Sequence, residues 1–329
     1  MIMHLGPQHA MVPGPFLLDI LVEGERVKKA FLDIGYIHKG IEKIMENRSW
    51  LQGITYTDRM CYVASLTNNE CYCGAVEKIL GLEVPERAQY IRVILEELSR
   101  IQSHLIGTGE FLTLIAGVGF APWQYMIIDR ERIISLIESV TGARLTHTFV
   151  RFGGVRNDLP EGFAEQCRKD LPYMKSRIEE FIELFAQDPI YHARMENIGS
   201  ISPELDFKII TGTRGDSADR IDVRLREMLE SIHIIEQCLD RIPSGPIKTE
   251  AKIPKKVPAG EAYYRVEDPR GEMGMYVISD GGDKPYRVKV RGPFYATFQT
   301  LTPLLEGVYI ADAVAIAGSM DGCPSESDR

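Results

Sequence analysis

The pattern of apolar and polar positions predicts a helical middle between two β-rich ends. In the first fifty residues, two apolar, β-prone runs are separated by "EGER", which is typical of a hairpin. After Pro85 the period changes, because "PERAQYIRVILEELSRIQSHLIG" repeats apolar side chains at the i, i+3, i+4 and i+7 spacing of one helical face. From about Ala262 the period returns to two. "AYYRVE", "GMYVIS" and "YRVKVR" are therefore predicted strands, with "DGGDKP" as the turn between the last two.

Three more helices complete the predicted middle. "DRERIISLIESVTG" should end at Gly142, and "EGFAEQCRKDLPYMKSRIEEFIELFAQ" contains Pro172 as a potential break. "SADRIDVRLREMLESIHIIEQCLDRI" has Ser217 or Asp219 as its N-cap. We predict an α+β fold in a single domain, residues 1–329: a β-rich segment at 1–50, a central helical bundle at 51–245, and a β-rich segment with a C-terminal tail at 246–329. The two β-rich ends are free to pair with each other in this scheme.

Composition and charge exclude several classes of function. The chain has 329 residues, 44% hydrophobic and 26% charged, with a formal net charge of -9, which is typical of an ordinary soluble protein. No block of Lys and Arg suggests nucleic acid as a partner. No run of about eighteen apolar residues predicts a transmembrane helix, and the N-terminus does not resemble a secretory signal. GxGxxG and P-loop motifs are absent, so a nucleotide site is not expected.

The six cysteines give no metal motif by themselves. They are spread along the chain without any CxxC pair, and Cys71 and Cys73 form an isolated CxC. A zinc or iron–sulfur site needs three or four ligands that converge on one point. Taken alone, the cysteines are therefore interpreted as reduced, structural thiols, since free Cys often behaves as a small buried hydrophobe.

Several stretches together resemble the NuoD-type large catalytic subunit of respiratory complex I and its relatives. They cover nearly the whole chain in order: "HLGPQHAMVPGPF", "GYIHKGIEK", "YIRVILEELSRIQSHL", "TGARLTHTFVRFGGVRNDLP", "GTRGDSADRIDVRLREMLESIHII" and "RGEMGMYVISDGGDKPYRVKVRGPF". Within this group, the first two look closest to the archaeal reduced-deazaflavin dehydrogenases. The resemblance implies the fold of the nickel–iron hydrogenase large subunit.

That hydrogenase fold carries an RGxE motif, an RxCGxC motif and a C-terminal DPCxxCxxH motif, whose four thiolates hold nickel and iron. In this chain the first cysteine of each pair corresponds to Cys61 and Cys323, whereas the second is Ala64 or Glu326. Arg329 stands where the hydrogenases have the terminal histidine. Two thiolates cannot hold a bridged nickel–iron centre, so the resemblance implies a site without that metal. We predict that Cys61 and Cys323 still lie close in space, and that Cys71 and Cys73 are packing residues.

The resemblance also implies a function for the emptied cavity. In the complex I family it binds the headgroup of a membrane carrier, a quinone or methanophenazine, at the interface with a small iron–sulfur subunit of the NuoB type. This chain alone is then expected to bind no cofactor, and the 4Fe-4S cluster lies in that partner. Further implied partners are a NuoC-type subunit, a NuoH-type membrane subunit and an electron-input module. The expected location is the cytoplasmic face of the membrane, where carrier reduction drives proton pumping by membrane subunits.

The carrier needs a hydrogen-bond donor, and Tyr62 matches the family's tyrosine at that point. A phenol can donate a hydrogen bond and pass a proton, although a half-buried core tyrosine is the plain alternative. His9 corresponds to the first histidine of the family's N-terminal loop, but Pro13 replaces the second, the usual headgroup ligand in quinone-reducing members. The acidic partner of that second histidine is Ser135 here. The paired loss suggests a phenazine-type or low-potential menaquinone acceptor.

The resemblance implies two further candidates. Arg59 matches an arginine beside the cluster, against a salt bridge with Asp58 or Glu70. His147 lies one residue from the family's cluster-proximal histidine, with Thr146 at the matching place.

His38 and Glu42 are candidates for proton entry, against a structural pair of Glu42 with Lys39 or Lys43. His104, on an apolar helical face, is interpreted as a hydrogen-bonded core histidine rather than a ligand.

Two alternatives and one discrepancy stay open. The chain resembles a hydrogenase or sulfur-reducing large subunit in fold, so an unusual metal site is one alternative; the other is a non-catalytic scaffold for the iron–sulfur subunit. Between "ENIGSISPE" and "LDFKIITGTRGD" the family carries a longer stretch that this sequence lacks.

Overall fold

The computed structural model describes residues 1–9, 14–114, 120–195 and 210–329. For residues 112–114 it describes the backbone alone. Their strands are β1 (Ile2–Leu5), β2 (Leu17–Glu23), β3 (Arg26–Asp33), β4 (Val150–Arg151), β5 (Gly154–Val155), β6 (Gly260–Asp268), β7 (Gly271–Ser279) and β8 (Arg287–Arg291). The helices are α1 (Ile41–Met45), α2 (Trp50–Thr57), α3 (Ser65–Leu80), α4 (Glu86–Leu114), α5 (Phe120–Thr141), α6 (Phe163–Gln187), α7 (Pro189–Met195), α8 (Ser217–Arg241), α9 (Pro293–Leu305), α10 (Ile310–Ser319) and α11 (Pro324–Asp328). The point at which the family carries a longer stretch lies within residues 196–209, outside the described part.

The helical middle has the predicted α+β arrangement. The apolar face of α4 is fully buried, at Ile91, Ile94, Leu95, Leu98, Ile101 and Leu105, and it packs against α5 and α8. The end of α5 at Gly142 is confirmed, since this glycine has a φ of 75°. Helix α6 runs unbroken through Pro172, so the potential break is wrong.

The N-cap of α8 is Asp216, and the prediction of Ser217 or Asp219 is wrong. Asp216 has extended backbone and its carboxylate accepts a hydrogen bond from the Asp219 N–H at 2.9 Å. Asp219 instead accepts hydrogen bonds from the backbone N–H groups of Arg214 and Gly215 with its own carboxylate.

The two β-rich ends form separate antiparallel sheets, β1-β2-β3 and β6-β7-β8. The hairpin β2–β3 and the turn between β7 and β8 are confirmed. The expected pairing of the two ends is confirmed only in part. The two sheets do not pair with each other among the described residues, but Arg26 of β3 forms an isolated antiparallel bridge with Tyr309 of the C-terminal segment. Their main helical contacts differ, because β6 and β7 pack on α3 whereas β3 packs on α9, although α9 also contacts β7.

The described residues form two large apolar clusters and one small one. The N-terminal sheet shares the first with the helical bundle, and the C-terminal sheet shares the second with α1, α2 and α3. Cys71 and Cys73 lie in the second, which confirms them as packing residues. The small cluster contains Cys61, Val63, Ala64 and Cys323. It joins the loop after α2 to the segment before α11 and marks the site described next. None of the described helices has an apolar stretch long enough to cross a membrane.

Candidate active site

Cys61 and Cys323 meet as predicted, although they are 262 positions apart in the sequence. Cys61 lies in the loop that links α2 to α3, and Cys323 is the N-cap of α11. Their exposed fractions are 1% and 8%. Their sulfur atoms and a carboxylate oxygen of Glu326 all lie within 4.8 Å of one another. We call these three residues the thiol–carboxylate cluster.

Arg270 supplies the positive charge beside this cluster. It lies in the turn between β6 and β7, and its Nη1 donates to the Cys61 sulfur at 3.5 Å. Its Nε donates to the Asp321 carbonyl at 2.9 Å, and Nη2 lies 3.4 Å from the Asp321 carboxylate. The side chain is 5% exposed. Arg270 therefore fixes the C-terminal segment against the loop that carries Cys61.

Two members of the cluster, Cys61 and Glu326, have raised pKa values. Burial raises the pKa of the Cys61 thiol well above its usual value, with a further increase from Cys323 and an opposing effect of Arg270. Burial likewise raises the pKa of the Glu326 carboxyl, and nearby Cys61 and Asp268 add to that increase. Neither Glu326 oxygen has a hydrogen-bond partner among the described residues.

Tyr62 follows Cys61 of the thiol–carboxylate cluster and reaches the protein surface. Its neighbours Cys61 and Val63 are buried, whereas the Tyr62 side chain leaves the residue 45% exposed. Burial of the phenol raises its pKa, and Cys323 and Cys61 raise it further, while Arg270 opposes them. The hydroxyl is therefore a neutral group that can donate a hydrogen bond at physiological pH.

Two charged side chains near Tyr62 were missed in the sequence. Arg130 of α5 donates to the Gln102 carbonyl at 3.1 Å; burial lowers its pKa, and the interaction with Tyr62 partly opposes that decrease. Glu110 of α4 has a pKa raised by burial and by Asp321. Arg130 gave no signal, because it lies in a charged stretch that looks solvated. A lone acid in "GTGEFL" was the only signal for Glu110.

Arg59 is half exposed on the same loop. Its Nη1 donates to the Thr55 carbonyl at 2.9 Å and to Asp58 at 3.2 Å, so the alternative ion pair with Asp58 exists. Glu70 instead pairs with Arg92. The Arg59 carbonyl accepts from Lys39 at 2.6 Å, and this lysine also donates to Ser325.

His147 is 1% exposed, and its Nδ1 lies 2.6 Å from the Ser65 hydroxyl. Burial lowers its pKa to about 4, partly opposed by a hydrogen bond with the Arg144 backbone, so the ring is neutral at physiological pH. Thr146 and Thr148 on either side have left-handed backbone, with φ of 48° and 41°. Thr148 donates to the buried Asp58 carboxylate, which ties this loop to the one that carries Arg59.

His38 and Glu42 contact the C-terminal segment. The Nδ1 of His38 hydrogen-bonds the Asp328 carbonyl. Glu42 lies 3.2 Å from Arg329 and 3.3 Å from Lys289, and accepts from the Val290 N–H at 2.9 Å. The expected alternative pairs with Lys39 or Lys43 are therefore wrong. They fail because α1 turns Glu42 toward β8 and the tail. A proton-entry role for His38 and Glu42 stays a prediction.

The N-terminal loop approaches the cluster at Gly14. A Cβ on Gly14 would lie 3.0 Å from Pro324 Cδ, and Pro324 follows Cys323 directly. His9 is partly buried, and Pro13 lies outside the described residues. Ser135 is exposed on α5 and lines an open cavity of about 400 Å³ with Glu131, Arg132, Gln166 and Asp170. The described lining of that cavity contains no member of the thiol–carboxylate cluster.

Comparisons with known proteins give the family. The family model for the 49-kDa subunit of respiratory-chain NADH dehydrogenase matches residues 118–205, 203–257 and 252–329. The family model for nickel-dependent hydrogenase matches residues 39–114. One subunit of the F(420)H(2) dehydrogenase of Methanosarcina mazei is 53% identical, over 100% of this chain and 98% of its own. The chain belongs to the 49-kDa subunit family. The corresponding subunit of the NADH-quinone oxidoreductase of Desulforamulus reducens is 42% identical, over 99% of this chain and 98% of its own.

A solved structure agrees with this assignment. A chain of the membrane-bound sulfane sulfur reductase, an archaeal respiratory membrane complex, superposes with a TM-score of 0.92 and 34% identity, covering 100% of this chain and 98% of that one. This 49-kDa-type chain is thus a subunit of a complex I-like oxidoreductase with the hydrogenase large-subunit fold. Its alignment with the Methanosarcina relative extends over 367 positions, although the chain has 329 residues, so the alignment contains positions that this chain lacks.

The residues of this 49-kDa-type subunit do not fit a nickel–iron centre. The second cysteine positions carry Ala64 and Glu326. The remaining thiols do not complete the set, because Cys71 and Cys73 hydrogen-bond carbonyls in the second apolar cluster. His104 hydrogen-bonds Glu227 at 2.8 Å and is fully buried, which confirms it as a hydrogen-bonded core residue.

Proposed function

We propose that this chain and a small iron–sulfur subunit of the NuoB type form the site that reduces a membrane electron carrier of the quinone or methanophenazine type. In this proposal the 4Fe-4S cluster lies in the partner, this chain lies at the cytoplasmic face of the membrane, and carrier reduction drives proton pumping by the membrane subunits. The remaining partners are a NuoC-type subunit, a NuoH-type membrane subunit and an electron-input module. The names of the relatives, an F(420)H(2) dehydrogenase and an NADH-quinone oxidoreductase, support this class of reaction.

The observation that carries the proposal is the exposure of Tyr62 beside the buried thiol–carboxylate cluster and Arg270. A core tyrosine would direct its ring inward, whereas this residue is 45% exposed between buried neighbours. A carrier that lies over the ring can accept a hydrogen bond from the phenol at its oxidised atom. Because the phenol pKa is raised, the proton stays on Tyr62 until charge develops on the carrier.

The charged groups around Tyr62 fit proton delivery to that atom. Glu110 has a raised pKa and is partly buried, so a fraction of its carboxyl holds a proton closer to neutral pH than an exposed glutamate would. Arg270 and Arg130 can stabilise negative charge that develops on the reduced carrier. These side chains supply the positioned donors and charges, whereas the electrons come from the partner subunit.

Arg59 and His147 are proposed to face the partner's cluster. Arg59 is half exposed. Its Nη1 donates to Thr55 and Asp58, and the exposed side of the guanidinium can face a partner. His147 is neutral and fixed by Ser65. His9 and the loop with Pro13 are proposed to cover the headgroup, because the loop ends at Gly14 against Pro324. The exposed position of Ser135 offers no acidic partner there.

The test is Tyr62→Phe in the purified complex. We expect kcat for carrier reduction to fall by about 10²-fold, as for removal of a positioned proton donor. Reduction of the iron–sulfur clusters by the upstream donor, measured by electron paramagnetic resonance, should stay unchanged. Tyr286→Phe is the control, since Tyr286 is 66% exposed and distant in sequence. Unchanged turnover in Tyr62→Phe would instead favour the scaffold alternative.

The acceptor class is tested in the same assay. We expect phenazine or low-potential menaquinone analogues to be reduced faster than ubiquinone analogues, because the histidine–carboxylate pair of quinone-reducing members is replaced by Pro13 and Ser135. Preferred use of ubiquinone analogues would contradict this assignment.

A second candidate is sulfane sulfur reduction. Two observations favour it: the solved complex of that activity is similar in structure, and two thiols are retained side by side. Two results together would move the assignment to this reaction. The wild-type complex would consume sulfane sulfur faster than it reduces the carrier, and Tyr62→Phe would abolish that consumption. Nickel in the purified complex would support the hydrogenase-like alternative.

A further inference from the structure

We propose that Cys61, Cys323 and Glu326 bind one divalent metal ion of the zinc class. A bridged nickel–iron pair is held by four thiolates, whereas this site offers two thiolates and one carboxylate for a single ion. It does not depend on the proposed carrier reduction, since it rests on the thiol–carboxylate cluster alone.

The distances within the cluster are close to those of a tetrahedral site. Zinc binds thiolate at about 2.3 Å and carboxylate oxygen at about 2.0–2.2 Å, which places the ligand atoms of a tetrahedron roughly 3.5–3.8 Å apart. The three candidate ligand atoms lie within 4.8 Å of one another. Small side-chain rotations therefore bring them into the coordination sphere without moving the backbone elements that carry them.

Glu326 gives a second, independent sign of a ligand. Its exposed fraction is 0%, and neither carboxylate oxygen has a hydrogen-bond partner among the described residues. Buried polar atoms are nearly always satisfied in native proteins, so two unsatisfied oxygens on one side chain need an explanation. A metal ion coordinated by one oxygen would supply it, because the charge of the ion offsets the cost of burying a carboxylate.

The local charges also balance around one ion. Two thiolates and one carboxylate with a divalent cation carry one net negative charge. Arg270, which donates to the Cys61 sulfur, neutralises that charge and orients the ligand from outside the coordination sphere. Asp321 is not part of the group of mutually close ligand atoms, and its carboxylate pairs with Arg270 and lies 3.8 Å from Arg224.

The ligand set favours zinc over hard cations. Two thiolates select soft or borderline ions such as zinc, whereas magnesium and calcium require oxygen ligands. Three protein ligands leave the fourth tetrahedral position to water or another small ligand, as in zinc sites with an open position. A second metal would need further thiolates, which Ala64 and Glu326 do not provide.

The experiment is metal analysis of the intact complex, purified in mild detergent without chelators. We expect about one zinc ion per copy of this chain. After exchange with Co²⁺, thiolate-to-cobalt charge-transfer absorption should appear. Cys323→Ser should remove the zinc and this absorption. Cys238→Ser should leave both intact, since Cys238 is a free thiol outside the cluster.

Glu326→Gln keeps both thiols and covers the case in which the serine variant does not assemble. It should weaken zinc binding at least 10-fold while cobalt at high concentration still gives thiolate absorption. Zinc content that is equal in wild type, Cys323→Ser and Glu326→Gln would overturn the proposal. So would a wild-type complex without zinc that takes up no cobalt. Alkylation that detects a Cys61–Cys323 disulfide in the complex as purified would also overturn it.

Discussion

The buried ion cluster around Arg92 gives the most direct test of how this fold is held together. Arg92 of α4 lies 2.8 Å from Glu70 and 2.7 Å from Glu77, both on α3. It also donates to the carbonyls of Arg151 and Gly154 at 3.0 and 2.9 Å. One guanidinium thus joins two helices and the β4–β5 hairpin, and its side chain is 6% exposed.

Arg92→Met should destabilise this region strongly. Removing one partner of a buried ion pair costs about 3–5 kcal/mol, because the other charges stay buried without compensation. With about 1.4 kcal/mol for each factor of ten, the opening equilibrium of α3 and α4 should increase about 10²- to 4 × 10³-fold. The loss should not appear in the packing of the distant N-terminal sheet.

Hydrogen exchange by mass spectrometry in the intact complex resolves this local effect. Peptides from 65–80 and 86–111 should lose protection by the stated factor, whereas peptides from 17–33 should not. The deficit should shrink as pH is lowered. Burial raises the folded-state pKa of Glu70 above the unfolded value of about 4.3, and the variant lacks the opposing charge of Arg92. The penalty is therefore present at neutral pH and disappears as this carboxyl protonates.

Arg144→Met is the matched control. Arg144 also contacts two glutamates, Glu131 at 2.6 Å and Glu138 at 3.2 Å, but its side chain is 48% exposed. Such a surface pair contributes about 0–1 kcal/mol. Equal losses of protection in the two variants would refute the argument that burial sets the cost. Adding Glu70→Gln and Glu77→Gln to Arg92→Met should restore part of the protection, because no uncompensated charge then remains.

The sequence predicts the helical middle well because its signal is local. Six apolar positions of α4 follow one helical face, and all six are buried. The predicted caps of α8, Ser217 and Asp219, lie one and three residues after the observed cap, because Asp216, Ser217 and Asp219 can all cap and only backbone geometry decides among them. Pro172 did not indicate a break in α6, because tertiary packing can hold a helix together around a proline.

Contacts between residues far apart in the sequence were harder to predict. Separate sheets at the two ends could not be distinguished from one shared sheet, because strand patterns do not name their partners. The approach of Cys61 and Cys323 was predictable only through family motifs. Arg270 was missed although it belongs to a quoted family stretch, because nothing in "DPRGE" distinguishes a buried arginine from an exposed turn. The side chains that surround Tyr62 come from several separate elements, and only the fold brings them together.

Two further predictions concern single residues. Asp216→Ala should cost about 1 kcal/mol and lower hydrogen-exchange protection in the first turn of α8, with the exposed Glu236→Ala as control; unchanged protection would exclude Asp216 as the N-cap. His147 has a folded-state pKa of about 4 against about 6.5 when unfolded, so its contribution to stability is complete above pH 6.5 and is lost as pH falls toward 4. His147→Gln should therefore flatten the decline in melting temperature of the complex across that window, whereas replacing the exposed His233 by Gln should not. A decline of equal slope in wild type and His147→Gln would show that burial of this imidazole does not set the acid sensitivity.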